Sequence, residues 1–258
     1  MEFNLSAKEF LFVSFAAGAK LVYGIENEFS KINPEEISSE IRKVHSSLEK
    51  KNYVESDFDG NSSINKNLLN TINTCVNCSN TILLNSSAKN KNTAVNYYFD
   101  GNNTVKAEKK DNEYVLANIN IEDFCADLLS NLSLREDKEF SENVEFVMLQ
   151  KDLEKVKKEV VAGNKEEAAA LLGEHTNEKI RDIIISALEE KEDFYSIAAI
   201  NTDDSSNAFD SIMIIDTEMG LLTVKPFISG LDNAVRIINC SHSDIKTLLN
   251  SMVSKITG

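Results

Sequence analysis

Proline is nearly absent from these 258 residues: only Pro34 and Pro226 occur. Neither falls in the interior of a helix that the periodicity predicts, so proline breaks none of them. Cysteine is scarce too. Cys75, Cys78, Cys125 and Cys240 are too few to staple a secreted fold of this length, which predicts a cytoplasmic protein. Basic charge is short: 27 Lys and Arg stand against 42 acidic residues, a net charge of −15. Nucleic acids and anionic lipids bind where Lys and Arg neutralise phosphates, so this balance argues against both. Acids interrupt or flank the longest basic clusters, Lys106–Lys110 and Lys155–Lys158, so no basic patch is segregated in the sequence. Long apolar runs are missing as well. Phe10–Ala19, bracketed by Lys8, Glu9 and Lys20, falls far short of the roughly 20 residues of a membrane span. It reads as a buried helix, and no membrane insertion is expected. The chain opens Met-Glu-Phe-Asn-Leu, without a basic leader.

Motifs of catalysis are missing too. There is no phosphate-cradling glycine loop, no Gly-x-Ser-x-Gly and no His-Glu-x-x-His. Cys75-x-x-Cys78 alone has a metal or redox look, but structural zinc needs four ligands and the other cysteines stand apart. A redox pair should open a helix after a strand, whereas this one sits at a helix end. His45, His175 and His242 lie on separate elements with no evident partner for general-base work. Asp203, Asp204 and Asp210 flank a polar loop without the ligand spacing of a calcium hand. The expectation is no catalytic residue, no metal and no cofactor.

What is present is pattern. Apolar residues make up 42%, enough for a globular core and too many for a disordered chain. Ser6 and Glu9 have capping-box spacing, opening a helix that should end near Gly24. Asn33-Pro34-Glu35-Glu36 starts a second, with Ile37, Ile41, Val44 and Leu48 on one stripe. Asp59-Gly60 predicts a turn, and Ile64, Leu68, Leu69 and Ile72 a third helix. A long helix is predicted over 143–162, followed by helices over 165–172 and from Thr176 to about Glu190.

The second half also replays the first. Residues 82–134 read as strand Ile82–Leu84, strand Val95–Phe99, an Asp100-Gly101 turn, strand Thr104–Ala107 and helix Ile121–Leu134, with Tyr114–Ala117 as a further strand. Residues 197–253 give Ile197–Ile200, a polar loop, Phe209–Ile215, a Met219-Gly220 turn, Leu221–Val224 and helix Ser243–Val253. The offset is 115 from Ile82 to Ile197 and again from Tyr98 to Met213. Each copy exposes one sheet face and one helix stripe, so two copies can pair their sheets around a shared core. Residues Arg135–Glu142 form a charged crossover, and no low-complexity linker follows. The chain therefore reads as a single domain of two pseudo-repeats, 1–135 and 143–258.

The order of elements, with Leu5-Ser6-x-x-Glu9-Phe10-Leu11, Leu21-x-x-Gly24-Ile25, Lys50-Lys51-Asn52-Tyr53-Val54, Tyr97-Tyr98-Phe99 and Ile214-Ile215-Asp216-x-x-x-Gly220-x-x-x-Val224, resembles the EspG-type chaperones of type VII (ESX) secretion systems. The resemblance runs nearly end to end, in a divergent version of Gram-positive type. Thr217 stands where that family often has proline. It implies an α+β fold, a central antiparallel sheet flanked by two helical subdomains in quasi-twofold duplication. It also implies a non-catalytic cytosolic chaperone that holds helical-hairpin secretion substrates of WXG100, LXG or PPE-like type. Carried over by element, client contacts would fall on Leu149, Leu153, Val156 and Val160, on Ile183 and Ala187, and on the loop Thr202, Asp203, Asp204, Ser205, Ser206 and Asn207. Homo-oligomerisation is left open. Two other readings compete: a winged-helix regulatory or nucleic-acid-binding module, and an immunity protein that binds a cognate toxin.

Overall fold

The computed structural model describes residues 1–59, 61–88, 91–135, 143–173, 175–189, 193–202, 208–229 and 232–257. Strand β1 (Glu2–Ser6) runs into helix α1 (Ala7–Ala16) through the predicted capping box. Ser6 Oγ accepts from the Glu9 amide at 3.2 Å, and Glu9 Oε2 accepts from the Ser6 amide at 2.7 Å. The helix stops at Ala16 rather than near Gly24, because the chain turns away through Gly18 (φ 97°) and Gly24 (φ 74°). Helix α2 (Pro34–Lys50) opens on Pro34 with Glu35 and Glu36 in its first turn. Ile64, predicted in the third helix, instead ends a hairpin of β2 (Val54–Ser56) and β3 (Ser62–Ile64). Helix α3 (Lys66–Val76) starts after it, where Asn65 Oδ1 accepts from the amides of Asn67 and Leu68. Gly60 of the predicted turn lies outside the described residues.

Strands β4 (Asn80–Ala88), β5 (Lys91–Asp100), β6 (Asn103–Lys110) and β7 (Glu113–Ile119) follow, then α4 (Phe124–Leu132). All of the expected crossover beyond Arg135 lies outside the described residues, and β8 (Glu145–Leu149), α5 (Gln150–Ala162), α6 (Lys165–Gly173) and α7 (Glu178–Glu189) come next. The chain closes with β9 (Asp193–Asn201), β10 (Ala208–Thr217), β11 (Gly220–Ser229), β12 (Asp232–Cys240) and α8 (His242–Thr257).

Two of these correct the sequence reading. The single helix predicted over 143–162 is strand β8 followed by α5. Val144, Phe146 and Met148 are buried while Glu145 and Val147 are exposed, the period of a strand, and apolar Val147 conceals it. Strand β12 was not predicted at all. Its adjacent residues Ala234 and Val235 are both buried, which breaks the alternation that would reveal it.

Ten strands form one antiparallel sheet in the order β1-β7-β6-β5-β4-β9-β10-β11-β12-β8, and β2 and β3 form a separate pair. The contacts divide the chain into two compact units: Met1–Leu83, Thr93–Phe124 and Ile200–Asn207 in the first; Leu84–Asn92, Cys125–Ala199 and Ala208–Gly258 in the second. The same design recurs in each. A strand that leads into helices (β1, β8) pairs with the last strand of the following meander (β7, β12). Within the first unit Phe10 packs edge-on against Tyr98 and Tyr114, with Leu48, Leu68, Ile72 and Leu116 closing the core. Lys51 bridges buried Glu9 and half-exposed Glu113, at 2.8 Å to each. In the second unit Val156, Val160, Leu172 and Ile184 pack against Ile215, Leu222, Val235 and Ile237 of the sheet. Among the described residues no helix is long and apolar enough to cross a membrane.

Candidate partner-binding surface

A strand sends alternate side chains to one face, and antiparallel pairing aligns those faces between neighbours. In the second unit Met213 pairs with Val224, and Pro226 with Val235, so all four share the face that α5 covers. The cover is incomplete. Beside α5 lies a groove of about 340 Å³, floored by Ser196, Ser211, Met213, Val224, Pro226 and Val235 and walled by Leu153, Glu154 and Lys157. Its floor is mostly apolar, and serines at 196 and 211 keep it open by their small size. Ile228, two residues beyond Pro226 on the same face, is 78% exposed and extends the apolar stripe. A groove of this volume suits a few side chains of a partner.

A second cavity of about 330 Å³ in the same unit lies between Lys179, Asp182, Ile183, Ser186 and Ala187 of α7 and the turn Thr217–Met219. Thr217 Oγ1 fixes that turn, donating to the Gly220 carbonyl at 2.8 Å and accepting from the Met219 amide at 3.1 Å.

The residues predicted to bind a partner fall in several places. Leu149 is the last residue of β8, not part of a helix, and is half-buried. Leu153, also half-buried, lines the groove. Val156 and Val160 face inward and are buried in the helical core. Ile183 and Ala187 are mostly buried and line the second cavity. Thr202 belongs to the first unit; its amide donates to the Ser79 carbonyl at 3.0 Å and its hydroxyl to the Cys78 carbonyl. Asp203, Asp204, Ser205, Ser206 and Asn207 lie outside the described residues. Met213, Val224, Pro226 and Val235 were missed. The available signal was Pro226, set in an apolar strand where a proline weakens the pairing.

The candidate chemistry is equally local. Cys75 and Cys78 are free and buried at the end of α3. Burial pushes both thiols up, that of Cys75 well above its usual range, which holds them protonated at neutral pH. His45 Nε2 lies 2.8 Å from Ser62 Oγ. Asp210, read with the polar loop, stands on β10 instead. Burial opposes its ionisation, yet Lys255 at 2.6 Å and Lys225 at 3.3 Å hold its carboxyl below the ordinary value. Asp216, at the end of β10, accepts from the Arg135 amide at 2.9 Å, and burial pushes its carboxyl up. Among the described residues no three potential metal ligands converge.

No protein-family model matches the sequence, and no curated protein matches it. In fold the chain is similar to the type VII secretion system chaperone EspG5 of Mycobacterium tuberculosis, solved in complex with the PE25–PPE41 dimer. The TM-score is 0.68 over 99% of this chain and 95% of that one, at 10% sequence identity. The chain has an EspG-like fold: a large antiparallel sheet with helices, built as α+β.

Proposed function

We propose that this protein is a non-catalytic, cytosolic chaperone that holds a helical-hairpin substrate of a type VII secretion system (WXG100, LXG or PPE-like). The observation that carries the reading is the apolar groove beside α5, in a chain whose fold is that of a chaperone solved with its PE25–PPE41 partner. A helical client binds by laying apolar anchors at helical spacing into such a groove. Leu149 and Leu153 meet the client directly, while Val156 and Val160 hold α5 in place from behind. Ile183 and Ala187 back a second anchor point beside Met219, and the loop Thr202–Asn207 supplies polar contacts. The two halves, 1–135 and 143–258, act as pseudo-repeats of one domain. The acidic charge of −15 keeps the chaperone soluble and discourages self-association.

A winged-helix reading finds less support. On α2, Lys43 is held by Glu40 at 2.5 Å, and the hairpin that follows carries Glu55, Asp57 and Asp59. Phosphates would be repelled there. The test is co-expression with helical-hairpin secretion proteins encoded nearby. The wild type should co-elute with one of them, and Leu153→Asp should release it with the far-UV helical signal unchanged. Undiminished co-elution of Leu153→Asp would remove the groove from the account.

A further inference from the structure

Among the described residues the most exposed large apolar side chain is Phe58, 110% exposed in the β2–β3 connection. Residues Glu55–Ser63 around it include Glu55, Asp57 and Asp59 and no Lys, Arg or His. Its described residues are held by hydrogen bonds. Asp57 Oδ1 accepts from the amides of Asp59 at 2.9 Å and Asn61 at 2.8 Å. Asn61 Nδ2 donates to Asp57 Oδ2 at 3.1 Å, and the Asp57 amide donates to the Asn61 carbonyl at 2.9 Å. The hairpin base is fastened to the helix before it. Ser56 Oγ donates to Glu49 Oε1 at 2.6 Å, His45 meets Ser62 at 2.8 Å, and Val54 is buried. In the second unit α6 ends at Gly173 and α7 begins at Glu178, whereas residues 51–65 with the hairpin separate α2 from α3.

We propose that the β2–β3 hairpin is a docking arm whose Phe58 enters an apolar pocket with a cationic rim on a partner protein. An aromatic ring is the kind of anchor that dominates interface energy. A tip already fixed by the Asp57 bonds loses little freedom on binding. The acidic frame selects the partner by charge: Lys and Arg around the pocket complement Glu55, Asp57 and Asp59, raising the encounter rate. The same frame disfavours nucleic acid, anionic membrane and a second copy of a chain with net charge −15. The arm is independent of the groove beside α5, so it stands or falls apart from the chaperone reading.

The test places a photo-crosslinking benzophenone residue at position 58 of the full chain in the producing cell, with Ser63 as control position. One dominant protein adduct should form from 58 and not from 63. The captured protein, purified, should bind the wild type and bind Phe58→Ser at least tenfold more weakly. Glu55→Gln with Asp59→Asn should slow association severalfold and flatten its salt dependence. Since Phe58 is fully exposed, the thermal midpoint of Phe58→Ser should match the wild type. Equal or absent adducts from the two positions would overturn the proposal, as would a captured protein indifferent to Phe58→Ser. So would self-association, or binding to phosphatidylglycerol vesicles, that Phe58→Ser abolishes.

Discussion

Two residues one helical turn apart on α5 should respond in opposite ways to truncation to alanine. Val156 is fully buried in the helical core, whereas Leu153 is half-buried on the wall of the groove. Val156→Ala removes two methyl groups at about 0.8 kcal/mol each and leaves a cavity, for about 2–3 kcal/mol in total. In a chain of this length 1 kcal/mol moves the midpoint by about 2–4 °C, so the midpoint should fall by about 5–10 °C. Leu153→Ala gives up only part of its burial, about 1 kcal/mol or less, and a correspondingly small shift. Client affinity should reverse the ranking. Leu153→Ala should lose about tenfold, equivalent to about 1.4 kcal/mol, and Val156→Ala less than threefold below its own midpoint. Differential scanning calorimetry gives the first quantity and isothermal titration the second. If Val156→Ala weakened client binding with an unchanged midpoint, the division of α5 into a core face and a groove face would be wrong. That division would fail equally if Leu153→Ala destabilised the fold as much as Val156→Ala while leaving affinity intact.

Lys51→Met would strand Glu9, whose side chain is 3% exposed, beside Glu113. Breaking a buried pair costs about 3–5 kcal/mol, and the partial exposure of Lys51 reduces this to about 2 kcal/mol. Burial opposes ionisation of Glu9, but Lys51 and the Ser6 amide outweigh it and hold its carboxyl below 4.5. That stabilisation is present above pH 4.5 and lost as pH falls through the folded value, so the gap in urea midpoint between wild type and variant should narrow in acid. A gap independent of pH would contradict the pairing. Gly24→Ala should destabilise more than Gly18→Ala in thermal melts. Both have positive φ, but only at Gly24 would a Cβ meet another group, 2.5 Å from Asn96 Nδ2. Replacing Cys75 and Cys78 together with Ala should leave client binding intact. In the native wild type a thiol reagent at about pH 7.5 should reach Cys125 before either of them, because both are buried and held protonated.

Local signals made much of the fold legible. The Ser6–Glu9 capping box, Pro34 at the start of α2 and the stripe Ile37, Ile41, Val44 and Leu48 each depend on residues within a few positions of one another. The meander strands other than β12 show as short apolar runs between turns. What escaped depends on distant partners. Strand β8 is a strand because Phe146 and Met148 pair with Ile237 and Val235 across the sheet, some ninety residues away in sequence. Nothing within 143–162 announces that pairing, so helical periodicity prevailed. The β2–β3 hairpin is too short to show a period, and β12 lacks a clean one. The groove was legible by only one wall. Leu153 stands out on a helical stripe, but the groove's floor is assembled from four strands whose register no local pattern reveals. Periodicity also cannot say which member of a stripe is covered, and Leu153 and Val156 differ in that respect alone.

The central claim is that the groove beside α5 binds a helical secretion substrate through apolar anchors. Its most direct test is titration calorimetry of the purified protein against the helical-hairpin secretion proteins encoded beside it, at about 50 and 200 mM salt. Contacts dominated by desolvated apolar groups should hold affinity within about threefold across that range, whereas several phosphate contacts would lose on the order of a thousandfold. The account predicts saturable binding to one such protein, nearly independent of salt. Binding to none of them, together with tight and steeply salt-sensitive binding to duplex DNA, would contradict it.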